Sequence, residues 1–230
     1  MAKIYCIANQ KGGVGKTTTA VNLAAALSQL SFNVLLVDLD PQGNATTGSG
    51  LEKNNLVQSV YEVLLDRADI KKVITHSTSG YDILGSNRKL AAAEEELLSA
   101  ARKELRLKTK LDEVSGQYDV IIIDCPPTLS ILTINAFCAA DSVLVPIQCE
   151  FYALEGVGQL INTIQLVKKS LNKSLDIEGV LMTMFDYRTN LSNEVYSEVK
   201  KYFKDKVYKN TIPRNIRLAE SPSFGLPIML

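Results

Sequence analysis

Ten consecutive residues near the amino terminus, Asn9-Gln10-Lys11-Gly12-Gly13-Val14-Gly15-Lys16-Thr17-Thr18, carry the strongest chemical signal in the chain. Closely spaced glycines let a backbone turn tightly and aim successive N–H groups at a phosphate chain. A short apolar run precedes this loop and an Ala/Leu-rich run follows it, which is the strand–turn–helix setting a phosphate loop requires. The N-terminus of the following helix adds its dipole. Lys16 can reach β- and γ-phosphates as a point charge, and the Thr17 hydroxyl is placed to ligate Mg²⁺. Gly12, Gly13, Val14, Gly15, Lys16, Thr17 and Thr18 are therefore the expected nucleotide-binding residues. A plain glycine turn is the competing interpretation, and a Gly-Lys-Thr in this setting weighs against it. Two features depart from the general pattern. Gln10 stands where glycine is usual, and a second lysine, Lys11, lies inside the loop. One lysine per nucleotide suffices, so Lys11 either serves a neighbouring nucleotide or is simply solvated.

Three carboxylates follow. Asp38 and Asp40 flank Leu39 at the end of the run VLLVD. Side chains at i and i+2 share a strand face, so both are expected to point into the crevice beyond the strand ends. Pro41-Gln42-Gly43 then turns the chain. Asp124 closes the run VIIID, and Pro126-Pro127 stiffens what comes next. Acidic groups at core-facing strand ends are costly to bury, so a metal or a water network is expected there. A turn or a cap is the alternative, strongest for Asp38.

The elements that must position these groups read as alternating strands and helices. Strands are expected at 4–8, Val34–Asp38, 81–84, Val120–Asp124, 143–147 and 180–183. Several are almost wholly apolar, which suits strands buried on both faces of a parallel sheet. Helices are expected at 17–30, 153–171 and 193–203 from their apolar spacing, with one or two surface helices within 85–118. The pattern predicts one α/β domain over 1–230, doubly wound, with a mostly parallel sheet and right-handed crossovers.

Composition agrees. In 230 residues, 46% are hydrophobic and 22% charged, which excludes collagen-like and wholly disordered chains. Twenty-five basic and 25 acidic residues balance, so a uniformly basic nucleic-acid binder is excluded, although a local patch is not. Such a patch is visible: residues 168–217 hold eleven Lys/Arg against six Asp/Glu, a net of +5 in an otherwise acidic chain. Cys6, Cys125, Cys138 and Cys149 form no CxxC pair and lie in or beside apolar runs, which argues against a disulfide framework or a zinc site. The lone His76 reads as a surface residue. No signal-peptide pattern and no membrane-length apolar run occur, so a soluble cytoplasmic protein is expected.

The segment KGGVGKTT resembles the deviant Walker A loop of the MinD/ParA ATPases. ANQKGGVGKTTTAVNLAAAL followed by VLLVDLDPQGNAT is similar to the ParA/Soj branch, the DNA-partition ATPases. The likeness continues through VIIIDCPPTLS, VPIQCEFYALEG, TMFDYRTNLS and IPRNIRLAESPSFGLPI. It implies a deviant Walker A P-loop NTPase fold and a slow, Mg²⁺-dependent ATPase that forms an ATP-sandwich homodimer. In that arrangement Lys16 and the loop amides hold the phosphates, Thr17 binds Mg²⁺, and Asp124 supports the ion through water. Asp40 orients the attacking water, and Lys11 crosses the dimer interface to the other subunit's nucleotide. The segments carrying Met184, Pro213 and Arg214 contact adenine, and Glu150 approaches a ribose. Arg188 and Arg217 match positions used for non-specific DNA binding. A ParB-type partner stimulates hydrolysis, the protein associates with the nucleoid, and no membrane is involved. Two other readings stay open: a MinD-like ATPase positioned on a membrane, and a metabolic ATP-dependent enzyme such as a dethiobiotin synthetase-like ligase. DPQGN and the two arginines favour partition. The nitrogenase iron protein shares this fold, but the spacing around Cys125 does not fit its cluster, and a packed thiol is expected. The last residues, 225–230, read as an apolar, strand-like end, after which the family pattern leads one to expect a further helix.

Overall fold

In the computed structural model, which describes residues 1–150, 153, 154 and 156–230, the β-branched runs form one seven-stranded sheet. Its strands are β1 (Lys3–Ile7), β2 (Val34–Asp38), β3 (Thr75–His76), β4 (Asp82–Leu84), β5 (Val120–Asp124), β6 (Ser142–Gln148) and β7 (Asp176–Thr183). The spatial order is β3-β4-β2-β5-β1-β6-β7, and every neighbouring pair is parallel except β3 with β4. The register sets Ile7 and Asp38 on either side of Asp124, so three strands end level and release their loops to one side. The sheet of the expected doubly wound α/β domain is thus in place.

The helices are α1 (Lys16–Gln29), α2 (Asn44–Gly48), α3 (Val60–Leu64), α4 (Ile70–Val73), α5 (Leu90–Leu98), α6 (Arg106–Asp112), α7 (Ile131–Ala139), α8 (Val157–Ser170), α9 (Asn190–Phe203) and α10 (Ile216–Glu220). Alternation along each strand assigns side chains to two cores. Val34, Leu36, Ile122 and Ile83 pack against Ala20, Val21, Ala24 and Ala25 of α1. Leu35, Val37, Ile121, Ile123, Val143 and Val145 pack under α3 to α9. Alanines on α1 let that helix approach the sheet closely above the site.

The differences from expectation have local causes. β3 is two residues long, too short to leave a periodic signal; the turn at Gly80 (φ 89°) brings it antiparallel to β4. Helix α7 is apolar nearly all round, so no amphipathic stripe marks it. Residues 85–118 hold α5 and α6, but Leu90, Ala93, Leu97, Leu107 and Leu111 are buried, so both helices seal the core. Helix α9 starts at Asn190, three residues before the expected start, because the Thr189 side chain caps it by accepting from the Ser192 N–H. The start expected for α8 runs across residue 155, which lies outside the described residues. Residues 225–230 form no strand; the segment turns, and the Ile228 N–H donates to Asn22 Oδ1 at 2.8 Å. All four cysteines are buried and free. His76 is exposed as expected, with Nδ1 2.8 Å from an Asp82 carboxylate oxygen. Among the described residues, no helix is long and apolar enough to cross a membrane.

One buried amide ties α7 to α6. Asn135 Oδ1 accepts from the Leu107 N–H at 3.0 Å, and its Nδ2 donates to the Lys103 and Ile131 carbonyls at 2.8 and 2.9 Å. Asn135→Ala should leave a buried N–H and carbonyls unpaired and lower unfolding stability by about 2–3 kcal/mol. Urea unfolding measures the loss, and nucleotide affinity of the folded fraction should stay at the wild-type value.

Candidate active site

The loop after β1 is built from both flanks. Asn9 is buried; its Nδ2 donates to the Pro146 carbonyl of β6 at 2.7 Å, and its Oδ1 accepts from the Lys11 N–H at 3.0 Å. On the other flank, Thr183 Oγ1 at the end of β7 donates to the Val14 carbonyl at 2.8 Å. Gly15 caps α1 at φ 89°, a left-handed conformation that would strain any residue with a Cβ. The Lys16 side chain, 7% exposed, arches back so that Nζ donates to the Lys11 carbonyl at 3.2 Å. Burial lowers the Lys16 pKa, and the charge of Asp124 leads the groups that oppose the shift. Asn9 and Thr183 were not singled out from sequence. Asn9 was visible only as the head of the loop run and Thr183 only as the head of the segment TMFDYRTNLS, with no signal that either tethers the loop.

The carboxylates divide into different environments. Asp124 is fully buried, and neither of its oxygens is in hydrogen-bond geometry with a protein donor. Burial foremost, and then the charge of Asp38, push its carboxyl well above the usual range, although the Thr17 hydroxyl and Lys16 act against this. An orphaned carboxylate beside a threonine hydroxyl at a phosphate loop is a donor set suited to a hard divalent cation. The chemistry of Thr17 and Asp124 is thus compatible with a Mg²⁺ ion. Asp38 departs from the expectation that it faces the crevice. Its Oδ2 accepts from the Thr46 N–H and hydroxyl at 2.8 and 2.7 Å, and its Oδ1 accepts from the Asp40 N–H at 3.1 Å. Burial raises its pKa to about 6. The chain turns after β2, so Asp38 caps α2 while Asp40 alone reaches the cleft.

That cleft has a volume of about 290 Å³. Its floor is Gly12, Gly13, Gly15, Lys16, Thr17 and Thr18, and Asp40, Gln42, Asn44, Pro127 and Met184 complete its walls. Val14 is buried beneath the floor. Met184 takes φ 50°, unusual for a residue with a side chain. The exposed Pro213–Arg214 segment runs beside it through a bridge from Phe185 to Pro213, but does not line the cleft. Lys11 does not point into the cleft floor. Its Nζ lies 2.6 Å from Glu150 Oε2, and Gln148 Nε2 donates to the other Glu150 oxygen at 2.6 Å. Arg188 is highly exposed and forks onto Asp186, with Nε to Oδ1 at 2.9 Å and Nη2 to Oδ2 at 2.8 Å, which holds the Asp186 carboxyl near 2. Arg217, on exposed α10, makes no ion pair among the described residues.

Comparison with known proteins places this geometry in context. Residues 2–177 match a family model described as an AAA domain. The chain is similar to the sporulation initiation inhibitor protein Soj of Bacillus subtilis, with 58% identity over 100% of this chain and 91% of that one. It is 50% identical to the chromosome partitioning protein ParA of Myxococcus xanthus, over 100% and 82% of the two chains. Among solved structures, cobyrinic acid a,c-diamide synthase from Mycobacterium smegmatis, with bound ATP analogue and magnesium, superimposes with a TM-score of 0.91. The two are 40% identical over 98% of this chain and 93% of that one.

Lys16 is the sole side-chain cation lining the cleft among the described residues. Lys16→Ala removes charge-assisted phosphate contacts valued at about 1.5–3 kcal/mol each. ATP affinity should fall by at least ~100-fold in equilibrium titration with a fluorescent ATP analogue. Near wild-type affinity would remove Lys16 from the phosphate site.

Proposed function

Because this chain belongs to the Soj/ParA family of chromosome-partitioning ATPases, we propose that it acts as an ATP-switched homodimer that binds DNA non-specifically. Hydrolysis is slow and is stimulated by a ParB-type partner, and the ATP-loaded form associates with the nucleoid. The observation that carries this reading is the surplus lysine. Lys16 already serves the cleft, whereas Lys11 sits at its rim, 36% exposed, and is held by the surface carboxylate of Glu150. A cation on a rigid loop at the rim is suited to a nucleotide in a second copy of the chain.

Hydrolysis of ATP asks for positioning and charge neutralisation more than covalent chemistry. Thr17 and Asp124 would hold Mg²⁺, which would supply neutralisation of phosphate charge. The loop amides and Lys16 hold the phosphates in place. Asp40, the one carboxylate of the cleft wall, orients the attacking water. Lys11, released from Glu150, neutralises the partner nucleotide in the manner of an arginine finger, and Glu150 is then available to a ribose. Met184 lines the cleft and the Pro213–Arg214 segment runs beside it, which supports a contact of this edge with the base.

The +5 segment supports a phosphate-backbone contact with no base readout. Arg217 is the stronger of the two arginines, since Arg188 is already neutralised by Asp186. Likeness to an amide-forming synthase keeps the metabolic reading in view. The 58% relative and DPQGN favour partition over it, and turnover stimulated by a small metabolite would reverse that preference.

Two outcomes follow from the paired site. Lys11→Ala should bind ATP with nearly unchanged affinity yet elute as a monomer in ATP, where the unmodified chain dimerises; a mutant that still dimerises places Lys11 among solvated residues. Arg217→Ala should lower the slope of log affinity against log salt by about 1.8, at about 0.9 per phosphate contact in each of two subunits. Titration on two unrelated duplexes measures this, and an unaltered slope, or a loss confined to one duplex, overturns the contact.

A further inference from the structure

Asp40 lies two residues beyond the end of β2, on a turn, yet a water-orienting carboxylate must keep a fixed direction. Its backbone is held on both sides. The N–H donates to Asp38 Oδ1 at 3.1 Å, and the carbonyl accepts from Ser86 Oγ at 2.8 Å and from the Gly43 N–H at 2.9 Å. Ser86 is itself held, its N–H donating to Thr46 Oγ1 at 2.8 Å. The Thr46 hydroxyl donates to Asp38 Oδ2 at 2.7 Å. The contacts close into a ring: Asp38, Asp40, Ser86, Thr46 and back to Asp38. It joins the ends of β2 and β4 to α2.

The ring is dry and fully used. Asp38, Thr46 and Ser86 are 0% exposed, and Asp40 is 8% exposed. A threonine hydroxyl donates once, and here it donates to Asp38 while accepting from Ser86. The turn is pressed onto Ser86: a Cβ at Gly43, which takes φ 63°, would stand 2.8 Å from the Ser86 carbonyl oxygen. None of these groups lines the cleft except Asp40.

We propose that Thr46 and Ser86 are positioning residues for hydrolysis, fixing the Asp40 peptide so that its carboxylate faces the γ-phosphate position. The inference rests on Asp40 orienting the attacking water. A misplacement of about 1 Å can slow a reaction about 100-fold without altering ground-state binding. Neither hydroxyl lines the cleft, so their loss should act on the rate of the bound complex.

Single-turnover cleavage of ATP by excess protein, paired with equilibrium ATP affinity, tests this in the full chain. Thr46→Val and Ser86→Ala should each cleave bound ATP ~10–100-fold more slowly, with affinity within ~3-fold of the unmodified chain. Thr46→Ser keeps the hydroxyl and should restore the rate to within ~3-fold. Ser86→Ala removes one hydrogen bond and no methyl packing, so it reports even where Thr46→Val fails to fold. Asp40→Ala separates the two levels of inference. If it cleaves ATP normally, the role of Asp40 itself is wrong. If it is inactive while Ser86→Ala retains the full rate, the ring does not position it. Rate and affinity falling together, or Thr46→Ser as slow as Thr46→Val, would make the ring a stability element alone and overturn the proposal.

Discussion

Asp38 and Asp124 stand opposite each other across β2 and β5, both fully buried. Burial raises the pKa of both carboxyls, and the charge of Asp38 adds to the rise at Asp124; the fold meets that constraint in two different ways. For Asp38 it supplies three protein donors and makes the carboxylate a cap for α2. For Asp124 it supplies a threonine hydroxyl and a nearby ammonium but no geometric hydrogen bond. The first carboxylate is thereby committed to structure, and the second is left without a protein hydrogen bond. The rest of the site follows, because the turn that satisfies Asp38 carries Asp40 into the cleft, and the loop facing Asp124 is the one that binds phosphate.

The sheet was legible because its strands are buried on both faces. VLLVD and VIIID carry no polar residue before their final aspartate, and their bounds match the structure at both ends. Legibility failed where the period carries no information. Helix α7 is apolar nearly all round, and β3 pairs only two residues. The end at 225–230 is apolar without being a strand, since no neighbouring strand there accepts its backbone.

The position of the glycine loop between β1 and α1 was readable from spacing alone, because a phosphate-binding pattern needs contiguous backbone amides. What spacing could not give was orientation after a turn. The i and i+2 rule places Asp38 and Asp40 together only while the strand lasts, and it ends at Asp38. Residues acting across long separations were also hidden. Thr183 reaches Val14 across 169 positions, and Ser86 reaches Asp40 across 46. No local pattern signals a contact whose partner lies in another part of the chain.

The place of β1 in the sheet has a consequence for the order of assembly. Residues 3–7 pair with residues 120–124 on one side, and 5–7 pair with 142–144 on the other. The strand made first by the ribosome is thus enclosed by strands made more than a hundred residues later. Until then the phosphate loop lacks its contact with Pro146 of β6 and its tether from Thr183 of β7. Long-range parallel pairings of this kind fold slowly and leave apolar runs such as VLLVD uncovered meanwhile. A nascent chain of this fold therefore completes the pairing of its first strand only after residue 144 has been made.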